Sequence, residues 1–154
     1  MERSSAVPRL FLDSGGVLEG LYAPWSVSRA ILIHGRRGTV TIILAEYVRG
    51  EVENNLLELL ATNPQLATDT IDYDTLLQLL KPEPVPMPTP EEIDRARHLI
   101  RHQADVPVLV SALKASPDWL LTTNTRHFTP QVAARTGLKI ATPQAFLQSL
   151  TILG

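Results

Sequence analysis

The apolar residues of this chain fall into short unbroken runs, separated by longer stretches where they return every three or four positions. Unbroken runs bounded by polar residues predict buried strands, and the wider spacing predicts helices with one buried face. Residues 9–13 (RLFLD) and the β-branched residues 39–43 (TVTII) are of the first kind; residues 25–34, with Val27, Ala30, Ile31 and Ile33, are of the second. Leu44, Val48, Val52, Leu56 and Leu60 recur at i, i+4 and predict a long amphipathic helix that Asn63-Pro64 stops. Residues 73–80 predict a shorter helix. Residues 81–90, KPEPVPMPTP, alternate prolines and read as extended chain, either a linker or an internal connection. Thr89-Pro90-Glu91-Glu92 is a capping box with proline at the first helical position, predicting a helix to about Ile100. Asp105-Val106-Pro107 opens another through Leu113, and residues 119–123 predict a strand. Thr129-Pro130 and Thr142-Pro143 repeat the cap-then-proline device for two short helices around a strand at residues 138–141. Strands alternating with helices predict an α/β fold of three layers, α/β/α, with a mostly parallel central sheet. No internal repeat stands out.

Composition narrows this picture. The 154 residues and 44% hydrophobic content suit one domain spanning residues 1–154 with one core. A formal net charge of -2 gives no global basic field, so a nucleic-acid partner would need a local patch or bound metal. The absence of cysteine excludes disulfides, thiolate nucleophiles and cysteine-ligated zinc. The N-terminal MERSSAVPRLFLD has too short an apolar run for a signal peptide or membrane span, and no later segment is longer and charge-free. The expectation is a soluble cytoplasmic protein without membrane association.

Residues 10–18, LFLDSGGVL, bring chemistry into view, because a strand delivers an aspartate with two glycines close behind. In open α/β sheets the ligand site lies beyond the carboxyl ends of the strands. Asp13 ends the strand at residues 9–13, Glu46 follows that at 39–43, Asp105 opens the helix before the one at 119–123, and Asn124 follows that strand. Converging carboxylates repel one another unless a cation neutralises them. An all-oxygen donor set selects Mg²⁺ or Mn²⁺ over zinc, and such an ion suits hydrolysis of a phosphate ester. Each residue also has a plainer role: Asp105 as a helix N-cap, Glu46 at the positive end of its own helix, Asn124 in a turn, Asp13 capping the glycine loop. The four falling at one end of one sheet favours the joint, functional role.

The strand-Asp LFLDSG, the Ala45-Glu46 step and the segment ADVPVLVSALKASPDWLLTTNTRHF, in this order, resemble the PIN-domain family, whose members are mostly metal-dependent ribonucleases. Many bacterial members are the toxin of a toxin-antitoxin pair. The resemblance spans residues 9–150 and is most specific over residues 105–128, where an acid opens a helix and Asn124 follows nineteen residues later. It implies a PIN-like fold that hydrolyses RNA with Mg²⁺ or Mn²⁺. Asp13, Glu46 and Asp105 match the metal-binding acids, and Asn124 stands where a fourth acid often does; all four would be catalytic. Ser14 and Thr122 would support the site, with Arg126 contacting substrate. The resemblance further implies that the proline run is internal, that the chain is a homodimer, and that an antitoxin segment fills the crevice. Two departures are plain: Asn124 carries no charge, and Gly15-Gly16 replaces the usual polar pair after the first Asp.

Two other functions compete. LFLDSGGVL also looks like the nucleophile motif of haloacid-dehalogenase phosphatases, but their second acid falls here on Gly15, which has no proton to give a leaving group. A degenerate PIN fold that binds RNA or protein without cutting fits the neutral Asn124. His98 and His102, four apart, lack the His-Glu-x-x-His context and read as solvent-facing. His127 reads as a loop cap or a substrate contact. Arg36 and Arg37 read equally as phosphate contacts or as a solvated turn. Trp25 and Trp119 read as core.

Overall fold

The computed structural model describes residues 7–153, and side chains from 7 to 150. Five strands, β1 (Arg9–Leu12), β2 (Thr41–Ala45), β3 (Glu83–Val85), β4 (Trp119–Leu121) and β5 (Ile140–Ala141), pair in the order β3-β2-β1-β4-β5. Every pairing is parallel. The helices are α1 (Ser14–Tyr22), α2 (Val27–Arg37), α3 (Glu46–Thr62), α4 (Tyr73–Leu80), α5 (Pro90–Ala96), α6 (Val106–Ala115), α7 (Pro130–Thr136) and α8 (Pro143–Leu153). The chain is thus an α/β domain with a parallel sheet between helical layers. Right-handed crossovers put the connections running β1 to β2 to β3 on one face, and those returning through β4 to β5 on the other. In keeping with this, α2 packs on α1, α4 and α8, whereas α6 packs on α5 and against β2 and β3.

A sheet covered on both faces needs strands apolar on both faces. Leu10, Phe11 and Leu12 of β1, Ile42 to Ala45 of β2, and Leu120 and Leu121 of β4 are all buried, and Leu109 of α6 closes over them. At the amino edge Arg9 joins three segments. Its guanidinium pairs with Glu83 of β3 and donates to the carbonyls of Ala115 and Ser116, 2.9 Å each, and its backbone N–H donates to Asp118 at 2.7 Å. The hydrogen bond from Arg9 holds the Glu83 carboxyl below its ordinary range.

Several elements differ from the sequence expectations. α1 was not anticipated, since glycine at its second and third positions opposes a helix. It forms because Asp13 accepts the Gly16 N–H at 2.9 Å and caps it. β2 begins and ends two residues later than the apolar pattern suggests, so Leu44 lies in the strand, and Glu46 starts α3. Ile43, Leu44 and Ala45 pair with Glu83, Pro84 and Val85. The proline run is therefore internal and supplies an edge strand, the place in a sheet that tolerates proline. α5 ends at Ala96 rather than near Ile100, because the Gln103 amide donates to the carbonyls of Arg97 (2.9 Å) and Ile100 (3.0 Å) in place of further helical bonds. Trp25 is 98% exposed rather than core, while Trp119 packs on Phe146. Among the described residues no helix is long and apolar enough to cross a membrane.

Candidate active site

β1 and β4 are neighbours, yet the chain leaves β1 toward β2 and leaves β4 toward β5. Loops that diverge from adjacent strand ends open a crevice at the carboxyl edge, which is where open α/β sheets bind ligands. Asp13 follows β1 and Thr122 follows β4. The Thr122 hydroxyl donates to Asp13 Oδ2 while the Gly16 N–H donates to Oδ1, so both carboxylate oxygens are oriented. A Cβ on Gly16 would lie 3.2 Å from Asp13 Oδ1. The second glycine of LFLDSGG is thus tied to the aspartate it follows.

Burial pushes the Asp13 carboxyl above its ordinary value, against its hydrogen bonds from Thr122 and Gly16, and the negative charge of Asp105 adds to the rise. Asp105 comes from a distant part of the chain, at the end of the 3₁₀ turn Gln103–Asp105 that leads into α6. Its side chain makes no capping hydrogen bond to that helix. The plain N-cap reading therefore fails for Asp105. Its Oδ2 is buried and accepts no hydrogen bond.

The third acid of the centre is Glu51. Burial raises its carboxyl, a Ser14 hydrogen bond opposes that rise, and the charges of Asp105 and Asp13 add to it. Tyr47, one turn earlier on α3, is raised by burial and by the same acids, Glu51 and Asp105. Glu46 lies elsewhere. It is exposed, accepts the Met87 N–H at 3.2 Å, and shares a shallow depression with Arg49, Gly50 and Glu53. Helical geometry accounts for the exchange: positions five apart point about 140° away from each other, whereas Tyr47 and Glu51, four apart, share a face.

Asn124 reaches the site indirectly. Its backbone N–H donates to Thr122 Oγ1 at 2.9 Å, and its Nδ2 lies 2.9 Å from His127 Nδ1. His127 Nδ1 in turn lies 2.7 Å from Asp105 Oδ2. His98 and His102 are exposed, as the missing His-Glu-x-x-His context suggested, but His102 stacks on His127 with ring centroids 4.0 Å apart. Both rings line a cleft of about 590 Å³ together with Arg101, Arg126 and Arg135. Arg36 and Arg37 do not reach the site. They close α2, which enters β2, and so sit at the amino edge of the sheet in a solvated turn ending at Gly38 (φ 79°).

Asp13, Asp105 and Glu51 are oxygen donors near enough for their charges to act on one another, and burial together with that repulsion raises the Asp13 and Glu51 carboxyls. One oxygen, Asp105 Oδ2, is buried with only the His127 ring nitrogen beside it. Such a set fits a hard divalent cation. Sequence reasoning did not name Glu51 or Tyr47, and it set His102 aside as solvent-facing. The available signal for the first two was their shared helical face.

No protein-family model and no curated protein matches the chain. Among solved structures it is similar to the crystal structure of PAE2754 from Pyrobaculum aerophilum, with 15% identity and a TM-score of 0.55 over 97% of this chain and 94% of that one. At that identity the likeness carries the α/β/α fold and nothing finer.

Proposed function

We propose that the chain is a PIN-type ribonuclease, hydrolysing RNA phosphodiester bonds with a bound Mg²⁺ or Mn²⁺ ion. What supports this reading is Asp13 at the end of β1, bound by Thr122 from the end of β4, with Asp105 close enough for its charge to act on Asp13, and both acids close enough to act on Glu51. When bound, the ion would neutralise charge on the phosphodiester and make a water a better nucleophile. Asp13, fixed by Thr122 and Gly16, and Asp105 would hold it. Glu51, oriented by Ser14, would be a further ligand or would orient the attacking water. Arg126, with Arg101 and Arg135 along the neighbouring cleft, would contact phosphates of the strand. Asn124 would position Thr122 and His127 instead of contributing charge.

The test is cleavage of single-stranded RNA with Mg²⁺ or Mn²⁺. The wild type is expected to cut, and Asp13→Asn and Asp105→Asn are each expected to abolish cutting. Cleavage by the double variant at the wild-type rate would refute the mechanism. The neutral Asn124 favours a second reading, a PIN fold that binds RNA without cutting, for which oligonucleotide binding without any cleavage is the signature. A homodimer and an antitoxin partner belong to the same proposal. Sedimentation of the purified chain tests the first, and co-expression with the neighbouring reading frame tests the second.

A further inference from the structure

We propose that His102, Asp105 and His127 form a second ion site, for a divalent transition metal, that shares Asp105 with the carboxylate centre. One potential ligand atom from each residue lies within 4.8 Å of the other two. The closest pair is His127 Nδ1 and Asp105 Oδ2, 2.7 Å apart. The same Nδ1 is 2.9 Å from the Asn124 amide nitrogen. Nδ1 has one site, for a proton or a lone pair, so an ion held there would take the place of its contact with the Asn124 amide. Asp105 Oδ2, buried, has no other donor. An ion bound between His127 and Asp105 would satisfy that buried oxygen in place of the proton the pair otherwise shares.

His102 supplies the third donor. It is exposed, its ring lies over His127 at an interplanar angle of 17°, and one of its ring nitrogens lies within 4.8 Å of a ligand atom of Asp105. Two imidazoles and one carboxylate favour Mn²⁺, Fe²⁺, Co²⁺, Ni²⁺ or Zn²⁺ over Mg²⁺, which prefers oxygen. The three residues leave coordination positions open toward the cleft of about 590 Å³, where Arg101, Arg126 and Arg135 favour an anion. The chemistry that completes such a site is water or a phosphate oxygen. This ion site does not depend on the hydrolysis proposed above and stands if the chain cuts nothing.

The probe is Co²⁺ alone, followed by calorimetry and by its visible absorption, with Zn²⁺ as competitor. The wild type is expected to bind Co²⁺ with imidazole-type absorption, displaced by Zn²⁺ and not by equal Mg²⁺. His102→Ala and His127→Ala are each expected to weaken binding by roughly tenfold or more, as even the loss of an outer partner of a ligand does. Asp13→Asn, at the neighbouring centre, is expected to retain it. His102 is exposed, so its variant tests the ligand role without risk to folding, and circular dichroism checks the His127 variant. No Co²⁺ binding in the wild type, or equal binding in both histidine variants, would overturn the proposal. The second outcome would leave His127 as an ion-pair partner of Asp105 only.

Discussion

Asp13 has two duties that pull in opposite directions. It caps α1 through Gly16, which stabilises the fold, and it keeps a negative charge in a buried place, which does not. Asparagine keeps the cap and removes the charge. Without metal, Asp13→Asn is therefore expected to be more stable than the wild type by about 0.5–2 kcal/mol, the usual scale for relieving a functional site. Thermal unfolding in chelator checks this, and a destabilised variant would mean that the charge is not a burden. The acids of α3 make a second contrast. Glu51→Gln is expected to lower the cleavage rate by roughly 10–100-fold, the scale of a ligand-orienting group, while Glu46→Gln leaves it nearly unchanged. Equal losses from both would put Glu46 back in the site. Asp13 and Asp105 were legible in the sequence because a strand end or a helix start places them directly. Glu51 was not, since the choice between it and Glu46 turns on where α3 begins. A strand ending two residues later changes that choice, and apolar pattern alone does not fix boundaries so finely.

At the scale of elements, α1 is the one the sequence hid. Its glycines look like a loop when read by propensity, but two of them stand at close approaches. A Cβ on Gly20 would lie 2.5 Å from Leu32 Cδ1 and 3.2 Å from the Ser28 carbonyl, so α1 and α2 touch there without room for a methyl group. Gly50 on α3 meets nothing within 4 Å. Gly20→Ala is thus expected to destabilise by about 1–3 kcal/mol through overpacking. Gly50→Ala is expected to stabilise by roughly 0.5–1 kcal/mol through helix propensity. Urea unfolding of both variants separates packing from propensity, and a stabilising Gly20→Ala would refute the close contact. The capped helices α5 and α7 were readable because a threonine followed by proline carries its own local signal. The contact of Gly20 with Leu32 is tertiary and leaves no such mark.

On the scale of the molecule, the alternation of strands and helices was enough to predict a parallel sheet, and hence to send attention to its carboxyl edge. What alternation does not contain is the charge balance there, and that balance sets how stability responds to pH. Asp13 and Glu51 have folded values raised above their ordinary 3.8 and 4.5. A raised folded value contributes stability below the ordinary value and loses it as pH rises through the folded one. Glu83 has a lowered value, so its pairing with Arg9 contributes above 4.5 and is lost as pH falls through that lowered value. The metal-free chain is therefore squeezed from both sides, with the crevice acids weakening it as pH approaches neutrality. A divalent ion that binds only the folded site reverses the neutral side, adding about 2.7 kcal/mol when present at a hundred times its Kd. For a domain of this size that is a rise in Tm of roughly 5–10 °C. The rise with Mn²⁺ is expected to be largest at neutral pH and to shrink as pH falls through the raised values of these acids, where protons compete for the same oxygens. In Asp13→Asn it should largely disappear. Calorimetric scans with Mn²⁺ or chelator across that pH range measure it, and an ion effect independent of pH would mean that the crevice acids are not where the ion binds.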